Sequence, residues 1–190
     1  MVIDPTSGQA LEHRHLICGP NRDTWIRALA NDLGRLAQGV GTRMPTGTNT
    51  VFFIAKSAIP HGRKVTYARM VASIRPTKAE VNRVCVTVGR DRLDFPGTTT
   101  THCASLTTTK CLLNITISTP GARLMTLDIK DFNYGNATAR YKYMKLALAC
   151  IPDEIIEQYN LRTLSSNGWV YLEIRKGMPV LKQAGRITND

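Results

Sequence analysis

Arg83-Val-Cys-Val-Thr-Val-Gly89 alternates apolar and polar side chains with a period of two. The three valines would face one side of a strand and Arg83, Cys85 and Thr87 the other, because successive strand side chains point to opposite faces. This pattern predicts a half-buried strand. Half-buried strands are typical of an antiparallel sheet that has one face covered.

Further elements are predicted on both sides of this strand. Strands are expected at 51–55, 123–129 and 169–175, and helices at 23–36, at 152–159 and from Leu181. Residues 98–109 contain seven threonines, which favour a strand, but the apolar positions at and beyond Leu106 also fit one helical stripe. The pattern therefore does not decide between a strand and a helix for this segment. Together these elements predict an α+β fold, an antiparallel sheet with packed helices.

Length and composition are those of a globular protein. The chain has 190 residues, of which 43% are hydrophobic and 21% charged, so it can bury a sizeable core. No apolar run approaches the ~18–20 residues that cross a bilayer. The first eight residues lack a secretory pattern, and five widely spaced cysteines indicate reduced thiols. We therefore expect an intracellular protein, cytoplasmic or nuclear and not secreted, with no membrane partner.

The positive charge is concentrated in one region. Of a net charge of +11, residues 51–110 contribute +7, with ten Lys or Arg against three acids. Such a field attracts polyanions, because neutralised phosphates release condensed counterions. The alternative is a solvated basic face without a partner. Charge alone therefore makes nucleic acid a candidate partner.

Asp128 is the side chain that best fits a chemical role. It lies in the predicted strand 123–129 among Leu, Met and Ile, where a carboxylate is costly to bury unless it is paired or binds a cation. Pairing with Lys130 or Arg123 is the structural interpretation. The functional interpretation is a Mg²⁺ ligand, which would combine with phosphates and the basic stretch. His13, His15 and Cys18 lie close together, but no second ligand pair follows them.

Two blocks resemble a known family. Leu127-Asp-Ile-Lys-Asp-Phe132 and Gly177-Met-Pro-Val-Leu-Lys-Gln-Ala-Gly185 are similar to the "Asp-Val/Ile-Lys-x-x-Phe" and "Tyr-Gly-Leu-Lys-Gln-Ala" blocks of LTR-retrotransposon reverse transcriptases, especially the copia-like group. Upstream, 83–89 resembles their basic fingers strand, and 100–118 resembles the helix that follows it. The resemblance covers roughly residues 25–190.

The resemblance implies a polymerase fingers-and-palm region that transfers dNTPs to a primer by two-metal chemistry. Asp128 would bind the Mg²⁺ ions together with the backbone carbonyl of Ile129. Gln183 would lie over the incoming nucleotide, and Arg83 would face template or triphosphate. Lys64, in the basic stretch, is a further candidate substrate contact. The implied partners are an RNA template and a DNA primer.

The chain also departs from the family pattern. The second basic residue of the fingers strand is Cys85, which cannot supply a charged fork for phosphate. Asn133 stands where the family has an aromatic residue, and Val180 replaces the glycine of the second block. The 190 residues contain no Asp-Asp pair, so we expect the "Tyr-x-Asp-Asp" hairpin beyond residue 190. An incomplete polymerase fold of this kind should bind dNTP weakly or not at all and should be inactive alone.

These observations predict three segments and leave three hypotheses. The segments are an N-terminal extension with one helix and a linker (1–50), a fingers-like part (51–122) and a partial palm (123–190).

The chain could be a catalytically incomplete RNA-directed DNA polymerase or a non-catalytic nucleic-acid-binding remnant. A third possibility is a poorly folding remnant, in which Val170, Leu172 and Ile174 would lie exposed beside an unpaired strand edge.

Overall fold

The computed structural model describes residues 2–3, 7–89, 104–127, 134 and 136–178. Its strands are β1 (Val2–Ile3), β2 (Ala10–Leu11), β3 (Val51–Ile54), β4 (Val65–Ile74), β5 (Asn82–Val88), β6 (Ala137–Ala147) and β7 (Trp169–Lys176). Its α-helices are α1 (His13–Leu16), α2 (Arg22–Leu36), α3 (Leu106–Ser118), α4 (Asp153–Gln158) and α5 (Leu161–Leu164). Short 3₁₀ helices cover Lys56–Ala58 and Leu148–Cys150.

A five-stranded mixed sheet organises the chain. Its strand order is β3-β7-β6-β4-β5, and a separate small sheet pairs β1 with β2. Neighbouring strands of the large sheet are antiparallel except β4 and β6, which are parallel. Residues 51–122 and 123–190 both contribute strands. The predicted α+β class is confirmed, but the sheet is mixed rather than antiparallel throughout, because β4 and β6 are parallel; β5 and α3 lie between them in the chain.

One face of the sheet, here called the core face, is buried. Along β7 the even-numbered side chains point into the core, and Leu172 pairs with Met144 of β6 and Phe53 of β3. Leu172 and Met144 have no exposed surface. Each such side chain contributes roughly 1.5–3 kcal/mol through the apolar area that it removes from water. The opposite side of the sheet is called the outer face below.

Helix α2 covers the β5 end of the core. Its apolar positions Trp25, Leu29, Leu33 and Leu36 recur at helical spacing and are all buried, as the sequence predicts. The helix begins one residue before Asp23, which lies in its first turn and favours the positive end of the helix dipole. The predicted N-terminal helix is therefore confirmed.

The other end of the core lies under α4 and α5. The ring of Tyr159 packs on Phe53 of β3 with centroids 4.9 Å apart. Its hydroxyl donates to the carbonyl of Gly39 at 2.6 Å and accepts from the N–H of Gln38 at 3.1 Å. This phenol thus ties the loop after α2 to the C-terminal helices.

Several predicted elements are confirmed, one was wrong and one lies outside the described residues. Strands β5, β7 and β3 and helix α4 lie where the sequence predicts them, and the threonine-rich segment forms helix α3 from Leu106, where Ser105 accepts the Thr108 N–H at 3.0 Å. Residues 123–127 are not a strand, and Met125 and Leu127 are exposed because no neighbouring strand pairs with them. The predicted helix from Leu181 lies outside the described residues.

The poorly folding remnant was also expected to expose β7. Instead, Val170, Leu172 and Ile174 are fully buried, because β7 is an interior strand flanked by β3 and β6. Strands β4 and β6 were not predicted. They complete the sheet that buries this strand, so the expected exposure was wrong.

Candidate nucleic-acid interface

Aromatic and basic side chains alternate on the outer face of the sheet. The odd-numbered side chains of β7 point there, and cross-strand pairing places Tyr171 beside Lys145 and Glu173 beside Tyr143. The parallel pair adds Tyr67 of β4 opposite Lys145. The aromatic residues of this face are Phe52, Tyr67, Tyr141, Tyr143, Trp169 and Tyr171.

Cations lie over these rings at short range. The guanidinium carbon of Arg175 is 3.9 Å from the centroid of Phe52 and 5.4 Å from that of Tyr141. The Lys145 ammonium lies 4.4 Å from the Trp169 ring centroid. At such partly exposed sites a cation–π contact is worth about 0.5–1 kcal/mol, so the rings alone hold these cations weakly.

The middle of the outer face is closed. Tyr143 and Tyr171 are only 4% and 7% exposed, whereas Trp169 and Tyr141 are 37% and 40% exposed. Arg63 lies over Tyr143 at 5.6 Å and donates to the Tyr141 carbonyl at 2.5 Å. Accessible rings therefore occur at two places, one at Trp169 with Lys145 and one at Phe52 and Tyr141 with Arg175.

Glu173 is the acidic residue between these two places. Its carboxylate accepts from Arg175 Nε at 2.7 Å and from the Tyr143 hydroxyl at 3.3 Å. Arg63, Lys145 and Arg175 outnumber this single acid. The electrostatic character of this part of the outer face is therefore positive.

Arg83, predicted as a substrate contact, takes part in an ion network beneath α2, and the substrate contact itself stays a prediction. Its guanidinium lies 3.9 Å from the Asp32 carboxylate, which also accepts from Arg35 at 3.0 Å. Arg35 reaches Glu80 at 3.0 Å. The Nε of Arg83 is buried and has no hydrogen-bond partner among the described residues. This arginine is therefore placed to hold α2 against β5.

Asp32 completes the edge of the sheet. Its second carboxylate oxygen accepts the backbone N–H of Val86 at 2.7 Å. The side chain therefore satisfies a donor on the edge of β5 that no neighbouring strand pairs with. Burial raises the pKa of this carboxyl, and the hydrogen bond from Val86 and the guanidinium of Arg35 oppose that shift. The group is only 1% exposed.

Cys85 lies on the same strand and has no features of a nucleophile. Burial, and then the negative charge of Asp32, raise the pKa of its thiol. A raised pKa keeps the thiol protonated near neutral pH and therefore unreactive. Among the described residues, Cys18, Cys85, Cys111 and Cys150 form no disulfide, and the reduced state expected from the sequence stays a prediction.

The remaining predicted site residues are only partly placed. Lys64 is exposed one residue before β4. Asp128, Ile129 and Gln183 lie outside the described residues, so the predicted metal site and nucleotide contact stay predictions. Within the described ranges, no group of three or more His, Cys, Asp or Glu side chains could hold a metal ion. That part of the chain also has no helix long and apolar enough to cross a membrane.

The sequence patterns did not predict the aromatic and basic residues of this candidate interface. The pattern Arg140-Tyr-Lys-Tyr-Met-Lys145 does alternate, and Trp169, Tyr171 and Arg175 recur at even spacing along β7. That periodicity could have indicated one aromatic–cationic strand face. The pairing of β6 with β7 is what brings the two rows together, and it is not visible in either segment alone.

Comparison with models of protein families, with curated proteins and with solved structures finds no match for this chain.

Proposed function

We propose that this chain is the fingers-and-palm portion of a copia-like reverse transcriptase and that it binds nucleic acid through the outer face of its sheet. The observation that carries the proposal is the placement of Arg63, Lys145 and Arg175 among aromatic rings on one open side of the fold. Basic side chains beside aromatic rings can contact the phosphates and the bases of a nucleic acid.

Binding, rather than phosphoryl transfer, is the activity proposed for this chain by itself. Two-metal transfer needs carboxylates that hold both ions, and the sequence contains no Asp-Asp pair to act with Asp128. Cys85 stands where the resemblance requires a phosphate-binding arginine, and its thiol is neutral. The polymerase hypothesis and the binding-remnant hypothesis both predict nucleic-acid binding, and they differ over the missing carboxylates.

Salt dependence of binding tests the surface. A fluorescent primer–template should bind the purified protein with an affinity that falls steeply as salt rises, because each phosphate contact releases counterions. Arg175→Gln should lower the slope of log K against log [salt] by about one. Fluorescence anisotropy over a salt series measures both.

Arg162→Gln provides the matched control. Arg162 is 70% exposed and belongs to α5, whose Leu161 is buried in the core with the even-numbered side chains of β7. Its loss should leave the slope unchanged. A flat salt response of the unmodified protein, or equal slopes in all three proteins, would refute the proposed surface.

Primer extension tests the second part of the proposal. The purified protein, given primed template, dNTPs and Mg²⁺, should show no extension above background. Measurable extension that disappears in Asp128→Asn would contradict the assignment of a non-catalytic role to this chain by itself.

A further inference from the structure

We infer that the outer face is a stacking platform for single-stranded nucleic acid, with bases on Trp169 at one end and on Phe52 and Tyr141 at the other. This inference rests on the proposed function and specifies its ligand. It is carried by the two accessible ring sites, each of which has its own cation. Paired bases in a duplex have no free faces to offer such rings.

The spacing of the two ring sites fits a short strand. Trp169 and Arg175 are six residues apart on β7, which corresponds to about 20 Å at the rise of a β-strand. Sheet and barrel platforms that bind single strands use sites of about four nucleotides or more. A single strand that runs along β7 can therefore reach both ring sites.

The cations would exchange one partner for another. Lys145 and Arg175 now cover ring faces at 4.4 Å and 3.9 Å. Both have flexible stems and lie next to the positions where phosphates would follow stacked bases. On binding, each base replaces a cation on its ring and each cation contacts a phosphate, so charge and stacking contribute together.

The closed middle of the platform limits it to two base sites. Tyr143 and Tyr171 lie between the open rings but are nearly inaccessible, and Glu173 lies beside them. A negative side chain at this point disfavours a phosphate close to the sheet. Intervening nucleotides should therefore bridge the middle without stacking.

The test compares three ligands of equal length. An oligothymidylate of about twelve nucleotides offers charges and bases, an abasic strand offers only the charges, and a duplex offers a denser charge with paired bases. Stacking predicts that the oligothymidylate binds roughly 5- to 150-fold tighter than the abasic strand for each stacked base. Electrostatics alone predicts equal binding of the two strands and tighter binding of the duplex.

Substitutions of the ring residues test whether the rings cause the preference for the oligothymidylate. Trp169→Leu should remove most of the preference for the oligothymidylate over the abasic strand, and Trp169→Phe should restore part of it. The Phe52→Leu/Tyr141→Leu double variant should act similarly at the other end. Lys145→Gln should weaken both strands to the same degree. Circular dichroism melts check that each variant folds.

Tryptophan fluorescence gives a readout in the unmodified protein. Trp25 is 4% exposed inside the core, so quenching upon binding reports Trp169. Quenching by the oligothymidylate but not by the abasic strand supports stacking. Salt-dependent binding without base preference or quenching would overturn this inference and leave the proposed function intact. Absence of binding to all three ligands would overturn both.

Discussion

Arg83 on the edge strand β5 and Arg175 on the interior strand β7 both occupy outer-face positions of the same sheet, but their surroundings differ. Arg83 is paired with a carboxylate that is 1% exposed, and its Nε is enclosed by protein. The side chain of Arg175 is 40% exposed and lies over two rings. Arg175 also donates to Glu173 at 2.7 Å, so both arginines have a carboxylate partner and they differ in exposure, 27% for the Arg83 side chain against 40% for Arg175. The proposal therefore assigns a structural role to Arg83 and a ligand contact to the more exposed Arg175.

The largest expected effect is a loss of stability when Asp32 is removed from the ion network beneath α2. Asp32→Ala removes the acceptor for the Val86 N–H and leaves Arg35 and Arg83 without their buried partner. Such losses typically cost about 3 kcal/mol, because a buried donor and buried charge remain unsatisfied. Urea unfolding should show this decrease in the free energy of unfolding. An unchanged midpoint would mean that α2 does not depend on this carboxylate.

A smaller effect separates the two arginines. Arg83→Gln should lower the free energy of unfolding by about 1 kcal/mol and leave the salt slope of nucleic-acid binding unchanged, since its head group is committed to Asp32. Arg175→Gln should do the reverse, because its ion pair with Glu173 is partly exposed. Paired unfolding and binding measurements on both variants test this. If the salt slope changes in Arg83→Gln, the assignment of a structural role to Arg83 and a binding role to Arg175 is wrong.

The pH dependence should be the smallest effect. Burial raises the pKa of Asp32 in the folded protein above its ordinary value, so the folded state binds this proton more tightly than the unfolded state. The resulting stabilisation is fully present below the unfolded pKa and is lost as pH rises through the folded pKa. The Asp32→Asn variant has no titratable group at this position. The stability of the unmodified protein relative to Asp32→Asn should therefore decline from about pH 4 upward.

A constant difference between these two proteins from pH 4 to 7 would contradict that expectation. Asp32→Asn is the appropriate reference because its amide oxygen can still accept from Val86, so the comparison isolates ionisation. Glu80 and Arg35 remain in both proteins, so their contributions to the pH dependence of stability cancel to first order in the difference.

The sequence predicted the elements whose two faces differ clearly. The valines of β5 and the spacing of Trp25 to Leu36 in α2 carry one apolar face each, and local periodicity is sufficient there. In β6, Tyr141 and Tyr143 place aromatic groups on the polar face, so the alternation is weaker and the strand was missed. The interface was missed for the same reason.

Local pattern also could not reveal partners that are distant in the chain. Asp32 and Val86 are 54 residues apart, and only the fold brings that carboxylate to the edge of β5. Arg83 was predicted as a substrate contact because residues 83–89 resemble the basic fingers strand of the reverse transcriptases. Its ion pair depends on the docking of α2, which no pattern within residues 83–89 specifies.

The most direct test of the central claim is the salt series with the unmodified protein and Arg175→Gln. We predict that binding of the labelled primer–template weakens steeply with salt, and that the variant has a slope lower by about one. Binding that does not change with salt, or identical slopes for the two proteins, would contradict a nucleic-acid interface on the outer face of this sheet.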